Sequence, residues 1–340
     1  MQAVDKEVIG QILNWLNAGS RCWLATVVET WGSSPRPVGS LLACNDTGIM
    51  VGSLSGGCVE EDLQEKLLAG ELAAEQAQFF QYGVTPEDVE KFGLPCGGHL
   101  NIIIEPQSPS PDRIAQFEQL YAALGERSWV LRDVNLRDQS VHLSPAPEPA
   151  ALAWSGEQQR LQHTYGPSYQ LFIIGAGMVS QYLAEMAMML DYQVTVCDPR
   201  EDLLAQFPVA GVTKVCDMPD DAVRAYAQDY ATAIVALTHD PRIDDMGLME
   251  ALTTAAFYVG AMGSSRTSAN RRERLLALDV SAECLAKLHA PIGLAIGSKT
   301  PPEIAIAILA EITAVRKNQA TPATPATNTN DPATPSAAVA

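Results

Sequence analysis

Two cysteines stand beside glycine pairs: Cys58 closes Ser53-Leu-Ser-Gly-Gly-Cys58, and Cys96 opens Cys96-Gly-Gly98. A cysteine is most often a small buried hydrophobe. Flanking glycines, however, leave room for a ligand to reach the backbone, so both thiols are candidates for nucleophilic or metal-ligating work. Cys58 also leads into Val59, Leu63 and Leu67, whose spacing predicts a helix. A glycine-rich turn that opens a helix offers unpaired N–H groups and the positive end of the dipole, which would also lower the pKa of Cys58. Ser55, Gly56 and Gly57, with Gly97 and Gly98, are therefore candidate contacts to an anionic cofactor. Arg36, fixed between Pro35 and Pro37, is the candidate oxyanion or phosphate ligand of the same region. Cys22, Cys44, Cys197, Cys216 and Cys284 lie in apolar or helical contexts and read as packing residues. A serine-hydrolase elbow does not fit, because Leu54 stands where the nucleophile of Gly52-Ser-Leu-Ser-Gly56 would be.

A second group of chemistry-bearing residues lies in the C-terminal half. Gly175-x-Gly177-x-x-Ser180 follows an apolar run and opens a helix, which is a dinucleotide fingerprint with Ser in the third glycine slot. Asp198 ends the next predicted strand and is a candidate acceptor for ribose hydroxyls, whereas Arg200 reads as a solvated side chain. His239, Asp240 and Asp244 follow another predicted strand, at the edge where open sheets bind ligands. They are candidates for binding or proton transfer, but their spacing matches no metal signature, and turn or supporting roles are the plainer reading. Gly263, Ser264 and Arg266 form a possible second anion cradle ahead of a basic helix carrying Arg271, Arg272 and Arg274.

The elements that must hold these residues follow from periodicity and punctuation. Val4, Val8, Ile12, Trp15 and Leu16 make one face of a first helix that Gly19 ends. Strands are predicted at 21–29, 79–82 and 99–105, with a hairpin of 40–44 and 49–54 turned at residues 45–48, and the helix after Cys58 is predicted to run to about Gln78. The stretch 107–111 reads as a linker, followed by a helix, one strand at 129–132 and a Pro/Ala/Glu-rich loop over 144–156. From residue 170 onward, strands alternate with helices, and Thr300-Pro-Pro-Glu303 caps a last helix running to about Lys317. The fold class expected is α/β: an N-terminal α+β domain with Gly/Cys loops, then a C-terminal Rossmann-type doubly wound parallel sheet. The boundaries expected are 1–107 for the first domain, 108–165 for a linker and small α/β segment, 166–317 for the nucleotide-binding domain, and 318–340 for a disordered tail.

With 340 residues, 47% of them hydrophobic, the chain can bury a sizeable core. No apolar run approaches the ~18 residues of a membrane span and no leader peptide is evident, so a cytoplasmic location is expected. Seven cysteines without a Cys-x-x-Cys pair argue against a disulfide framework or zinc ribbon, and a net charge of −18 disfavours nucleic acid and acidic membranes.

Seven motifs in order resemble the XdhC/CoxI family of molybdenum-cofactor accessory proteins. They are Gly32-Ser-Ser-Pro-Arg-Pro37, Gly52-Ser-Leu-Ser-Gly-Gly-Cys-Val-Glu60, Leu94-Pro-Cys-Gly-Gly98, Phe172-Ile-Ile-Gly-Ala-Gly177, Thr238-His-Asp-Pro-Arg-Ile-Asp-Asp245, Gly260-Ala-Met-Gly-Ser264 and Pro291-Ile-Gly-Leu-Ala-Ile-Gly-Ser-Lys-Thr-Pro301. The single Cys96 and the Gly56-Gly-Cys58 loop place the chain nearer the CoxI-like branch. The resemblance implies a chaperone, rather than a catalyst, that binds the molybdenum cofactor as molybdopterin or its cytidine dinucleotide. It implies contact with a cysteine desulfurase for sulfuration and delivery to a client molybdoenzyme of the xanthine dehydrogenase, aldehyde oxidoreductase or CO dehydrogenase type. Cys58 and Cys96 would then face the metal, and a homodimer is a further expectation. The main alternative is an NAD(P)-dependent oxidoreductase using the Rossmann half, with His239 as its acid. A third is a nucleotide-sensing module without chemistry.

Overall fold

The structure, a computed structural model, describes residues 3–30, 36–57, 59–83 and 99–319. Cys58, Cys96, Gly97, Gly98 and the tail expected to be disordered beyond residue 319 lie outside these residues.

The first half is built on α1 (Ala3–Asn17), β1 (Cys22–Thr30), β2 (Leu41–Asn45), β3 (Met50–Gly52), α2 (Glu60–Leu68), β4 (Gln78–Tyr82) and β5 (Leu100–Gln107). The strands form one antiparallel sheet in the order β3-β2-β1-β5-β4. Side chains of a strand alternate faces, and β1 is buried on both. Cys22 and Leu24 pack with Val8, Ile12 and Leu16 of α1, while Trp23, Ala25 and Val27 pack with Leu63 and Leu67 of α2. Burial of each such leucine contributes roughly 2 kcal/mol. α2 is shorter than its periodicity predicts. The chain leaves the helix at Ala69 and turns through Gly70 at φ +73°, a left-handed position that ends the run well before Gln78.

A second sheet is not legible as such in the sequence. After α3 (Pro111–Gly125), capped by the Ser110 hydroxyl, the strands β6 (Trp129–Asn135), β7 (Val141–Ala146), β8 (Ala153–Ser155) and β9 (Arg160–Tyr165) pair in the order β7-β6-β9-β8. Part of the stretch expected to be a loop is thus strand, because Pro145 sits on an edge strand, where its missing N–H costs no ladder bond. Arg132 of β6 joins this sheet to the first: it donates Nη1 and Nη2 to the two Glu105 oxygens of β5 at 2.8 and 2.7 Å, both residues buried.

The C-terminal half contains β10 (Gln170–Ile174), α4 (Met178–Met189), β11 (Gln193–Cys197), α5 (Glu201–Ala205), β12 (Thr213–Val215), α6 (Pro219–Tyr226), β13 (Thr232–Ala236), α7 (Pro241–Ala251), β14 (Tyr258–Ala261), α8 (Ser265–Ala277), α9 (Ala282–Ala286), β15 (Leu288–His289) and α10 (Pro301–Gln319). All strand pairs are parallel, in the order β12-β11-β10-β13-β14-β15. This is the doubly wound Rossmann arrangement, with its switch point between β10 and β13. Helices on both faces bury β10 completely: Leu171 and Ile173 meet Leu183 and Ile308, while Phe172 and Ile174 meet Ala222 and Leu248. At the start of α10, Glu303 accepts the N–H groups of Lys299 and Thr300, as the capping pattern predicts. No helix among the described residues is long and apolar enough to cross a membrane.

Arg127, at φ +56° beyond the end of α3, ties the halves together. Its guanidinium binds both oxygens of Asp229 at 2.6 and 2.9 Å and reaches the Ser168 carbonyl and the Gln193 side chain. Beside it runs a cleft of about 550 Å³ between α1 and the start of β11, lined by Lys6, Gly10, Gln11, Tyr121, Tyr192 and Gln193.

Candidate functional site

The antiparallel register brings the strand ends that flank the glycine-rich stretches to one place. Thr30 pairs with Leu100, Tyr82 with Leu100, Thr26 with Leu41, and Leu42 with Gly52. The strand ends flanking residues 31–40, 53–59 and 83–99 therefore all lie at one edge of the first sheet. Arg36 is half-buried there, and Gly39 (φ +90°) turns the chain back into β2 above His163, whose Nε2 is 3.4 Å from where a Cβ on Gly39 would stand.

The anion that occupies the Ser55–Gly57 amides is the chain's own Glu60. Its carboxylate accepts the backbone N–H groups of Leu54, Ser55, Gly56 and Gly57 at 2.9–3.2 Å, and the hydroxyls of Ser53 and Ser55 at 2.9 and 2.6 Å. Glu60 is 8% exposed. Burial works against its charge, but the bonds from Ser55, Leu54 and Ser53 outweigh it and hold the carboxyl at about 2. The expectation that these amides are unpaired is corrected: Ser55, Gly56 and Gly57 spend their donors on Glu60, which the sequence reading does not single out. A glutamate three residues after Gly57 at a helix start is the signal that marks it. Its neighbours Glu61 and Asp62 also load the first turn of α2 with negative charge.

At the Rossmann edge, Gly175 (φ +107°) lies so close to the loop that follows β13 that a Cβ there would meet Thr238 Cγ2 at 2.7 Å. Gly177, the N-cap of α4, has no side-chain cap, and a Cβ on it would meet nothing within 4 Å. Open space over uncapped helix N–H groups is what an approaching phosphate needs. Ser180 is fully buried with its hydroxyl unpartnered, as the helix-packing slot implies.

Asp198 is placed differently from expectation. It has no exposed surface, and its oxygens accept Ala176 N–H at 2.8 Å and Arg200 Nε and Nη2, both at 2.8 Å. Burial opposes the charge, but Arg200 and the Ala176 amide hold the carboxyl below its usual range. No oxygen is left facing a ribose. The displayed group is Arg200, whose side chain is 44% exposed and, contrary to the solvated reading, fixed by Asp198. Asp198→Ala is expected to cost about 2–3 kcal/mol in urea denaturation, because the Ala176 amide and Arg200 lose their shared acceptor. A change under about 0.5 kcal/mol would dismiss that role.

The remaining two loops are held from beneath. Asp240 caps α7 by accepting the Arg242 N–H and also pairs with the Arg242 guanidinium, while His239 is exposed. Asp244 is not open to a ligand: it accepts Thr238 N–H and Oγ1 and binds Arg271 Nη2 at 2.7 Å. Arg271, read from sequence as part of a basic helix, is 2% exposed and also binds Asp245 and the Met262 carbonyl just before Gly263. Ser264 caps α8 through the Thr267 N–H, and Arg266 is exposed, so the second cradle expected from the sequence retains only Arg266 and the backbone around Gly263 as donors toward a ligand. Among the described residues no cluster of His, Cys, Asp and Glu is placed to hold a metal. Burial pushes the thiols of Cys22, Cys44 and Cys197 up to about 12, 11 and 12, which suits packing rather than reactivity.

Comparison with known families accounts for both halves. A family model described as XdhC and CoxI family matches residues 15–83, and one described as XdhC Rossmann domain matches residues 171–312. The chain belongs to the XdhC and CoxI family. Among relatives, it is 26% identical over 308 residues to the Escherichia coli molybdenum cofactor insertion chaperone PaoD, covering 89% of this chain and 86% of that protein. It is also 26% identical over 338 residues to a Bacillus subtilis protein described as a probable xanthine dehydrogenase component, covering 87% of this chain and 94% of that one. A Bacillus halodurans crystal structure described as a xanthine dehydrogenase shares the fold, with a TM-score of 0.71 at 23% identity over 94% of this chain and 98% of that one. The XdhC and CoxI segment holds Arg36 and the Glu60 cradle, and the XdhC Rossmann segment holds Gly175, Asp198 and Arg271.

Proposed function

We propose that this XdhC-family chain is a chaperone that holds the molybdenum cofactor and inserts it into a client molybdoenzyme of the xanthine dehydrogenase, aldehyde oxidoreductase or CO dehydrogenase type. The observation that carries it is that the strand ends flanking three Gly-rich stretches share one edge of the first sheet, in a chain that aligns over 89% of its length with a cofactor-insertion chaperone.

The cofactor's phosphate, and the nucleotide if the cytidine form is bound, fits the open space above Gly177, with Arg200 and Arg266 as flanking cations. A phosphate does not fit among the 54–57 amides, which Glu60 already fills. The first half therefore contributes Arg36 as a charge, and Cys58 and Cys96 as soft thiolate ligands suited to molybdenum. When bound, the cofactor supplies a metal centre whose oxo ligand can be exchanged for sulfur, and contact with a cysteine desulfurase would serve that exchange. The chain's own tasks are to orient the phosphate, screen the metal and release it on contact with the client. An NAD(P)-dependent oxidoreductase draws less support, because Asp198 is closed to ribose hydroxyls and His239 is exposed on a loop.

Anaerobic purification with metal analysis and pterin fluorescence tests this reading. Molybdenum and molybdopterin are expected to copurify, and the Cys58→Ala/Cys96→Ala variant is expected to retain the cofactor roughly 10–100-fold less tightly. Copurification of NAD(H), with no pterin bound by the apo-protein, would overturn it.

A further inference from the structure

The glycine-rich edge of the first sheet and the ligand edge of the Rossmann sheet do not face each other within one chain. Arg127 contacts the second half only at the entrances of its strands: Ser168 before β10, Gln193 at the first residue of β11, and Asp229 and Thr232 at the start of β13. The cleft beside it pairs α1 with Asp191, Tyr192 and Gln193, again at strand entrances. The first half thus sits on the N-terminal edge of the parallel sheet. Gly177, Arg200 and Gly263 leave the opposite edge, about 16 Å further on, the length of a five-residue strand. α1 is interposed as well: Val8 packs under Gly52, with Cγ2 2.8 Å from a Cβ placed there, while Gly10 and Gln11 line the far side toward Tyr192.

Exposed apolar side chains gather at the Rossmann edge, and one stands at the loop edge. Val38 is 44% exposed beside Arg36. At the Rossmann edge Met178 is 65%, Leu294 43%, Ile296 55% and Ile306 51% exposed. These four gather at one corner, because Leu294 N–H bonds to the Ala307 carbonyl early in α10, and α10 packs along α4, which Met178 begins. The 291–301 motif therefore displays apolar residues beside the ligand edge without contributing a charged ligand of its own apart from Lys299.

We infer that the complete cofactor site is built by two copies of the chain, the 36–40 and 53–57 loops of one closing over the Rossmann edge of the other. The inference rests on the chaperone reading above. Each copy carries one loop edge and one Rossmann edge, so a two-fold dimer completes two sites and takes the apolar corner of the Rossmann edge out of water.

The test uses full-length chains. Arg36→Glu damages only the loop side, and Gly177→Asp only the Rossmann side, and each variant alone is expected to lose copurified pterin. A mixed dimer, isolated with two different tags after co-expression, pairs the two damaged surfaces in one site and the two intact surfaces in the other. It is expected to regain about half the wild-type pterin per dimer, since one of its two sites is whole. No regain in an isolated mixed dimer would place the site within one chain and overturn the inference. Sedimentation gives a readout independent of cofactor: the wild type is expected to be dimeric and Ile296→Glu monomeric. A monomeric wild type would overturn the shared site, whereas a dimer dissociated by Ile296→Glu that never binds pterin would overturn the chaperone reading and keep the interface.

Discussion

Replacing Glu60 with alanine is expected to destabilise the protein by roughly 3–4 kcal/mol. The side chain satisfies four backbone N–H groups and two hydroxyls at once; alanine leaves the buried Leu54 and Ser55 amides without an acceptor, while the exposed Gly57 amide turns to water and Gly56 keeps only Ser53 Oγ. Glu60→Gln keeps one acceptor oxygen but turns an amide NH2 toward donors, so about 2 kcal/mol is expected. Urea denaturation followed by tryptophan fluorescence measures both, and a loss below about 1 kcal/mol for alanine would show that the loop holds its shape without the carboxylate.

The same residue sets an acid limb. Its folded carboxyl lies at about 2 against an ordinary 4.5, so the unfolded chain takes up the proton first. The contribution is present in full above pH 4.5 and is lost as the pH falls from there through about 2. Two and a half units correspond to about 3 kcal/mol. The urea midpoint of the wild type should therefore fall more steeply over this window than that of Glu60→Gln. Parallel curves would mean that the cradle does not favour the ionised form.

Arg271→Leu is expected to cost roughly 3–5 kcal/mol and to loosen both loops that flank the Rossmann crevice. Arg271 is the cation for Asp244, shares Asp245 with Arg274, and donates to the Met262 carbonyl, its own three bonds at 2.7–3.0 Å in a buried setting. Burial already raises the Asp244 carboxyl, and without Arg271 it would be protonated or left as an unpaired buried charge. Arg271→Lys restores the charge but not the three-way fork, and should recover about half the loss. Pairing Arg271→Leu with Asp244→Asn should recover part of it by removing the stranded charge, an interaction a double-mutant cycle reads directly. Strict additivity of the two changes would mean that the pair does not act as a unit.

What can be read from the chain depends on whether a residue's partner is near in sequence. The Gly175-x-Gly177 turn is legible because the buried run 170–174, the turn and the helix are contiguous, and the strand-helix alternation that follows admits few topologies. The pairing of Arg271 with Asp244 is hidden, because a buried arginine between Asn270 and Arg272 has the composition of a solvated helix face and its partners sit on another helix. Helical periodicity continues past Gly70, so it overextends α2, and the prolines near β7 mask an edge strand. The glycine-rich loop is legible as an anion cradle, but its occupant is not, since a glutamate only five residues from Ser55 looks like ordinary helix-start charge.

The Glu60 cradle makes an exposed glycine loop stiff. Glycines at φ +90° and +132° normally suggest a hinge, yet Leu54, Ser55, Gly56 and Gly57 have their amides tied to one carboxylate. Their hydrogens should exchange with solvent as slowly as those of a strand interior. A surface that is already ordered before contact gives up little conformational entropy when something docks on it.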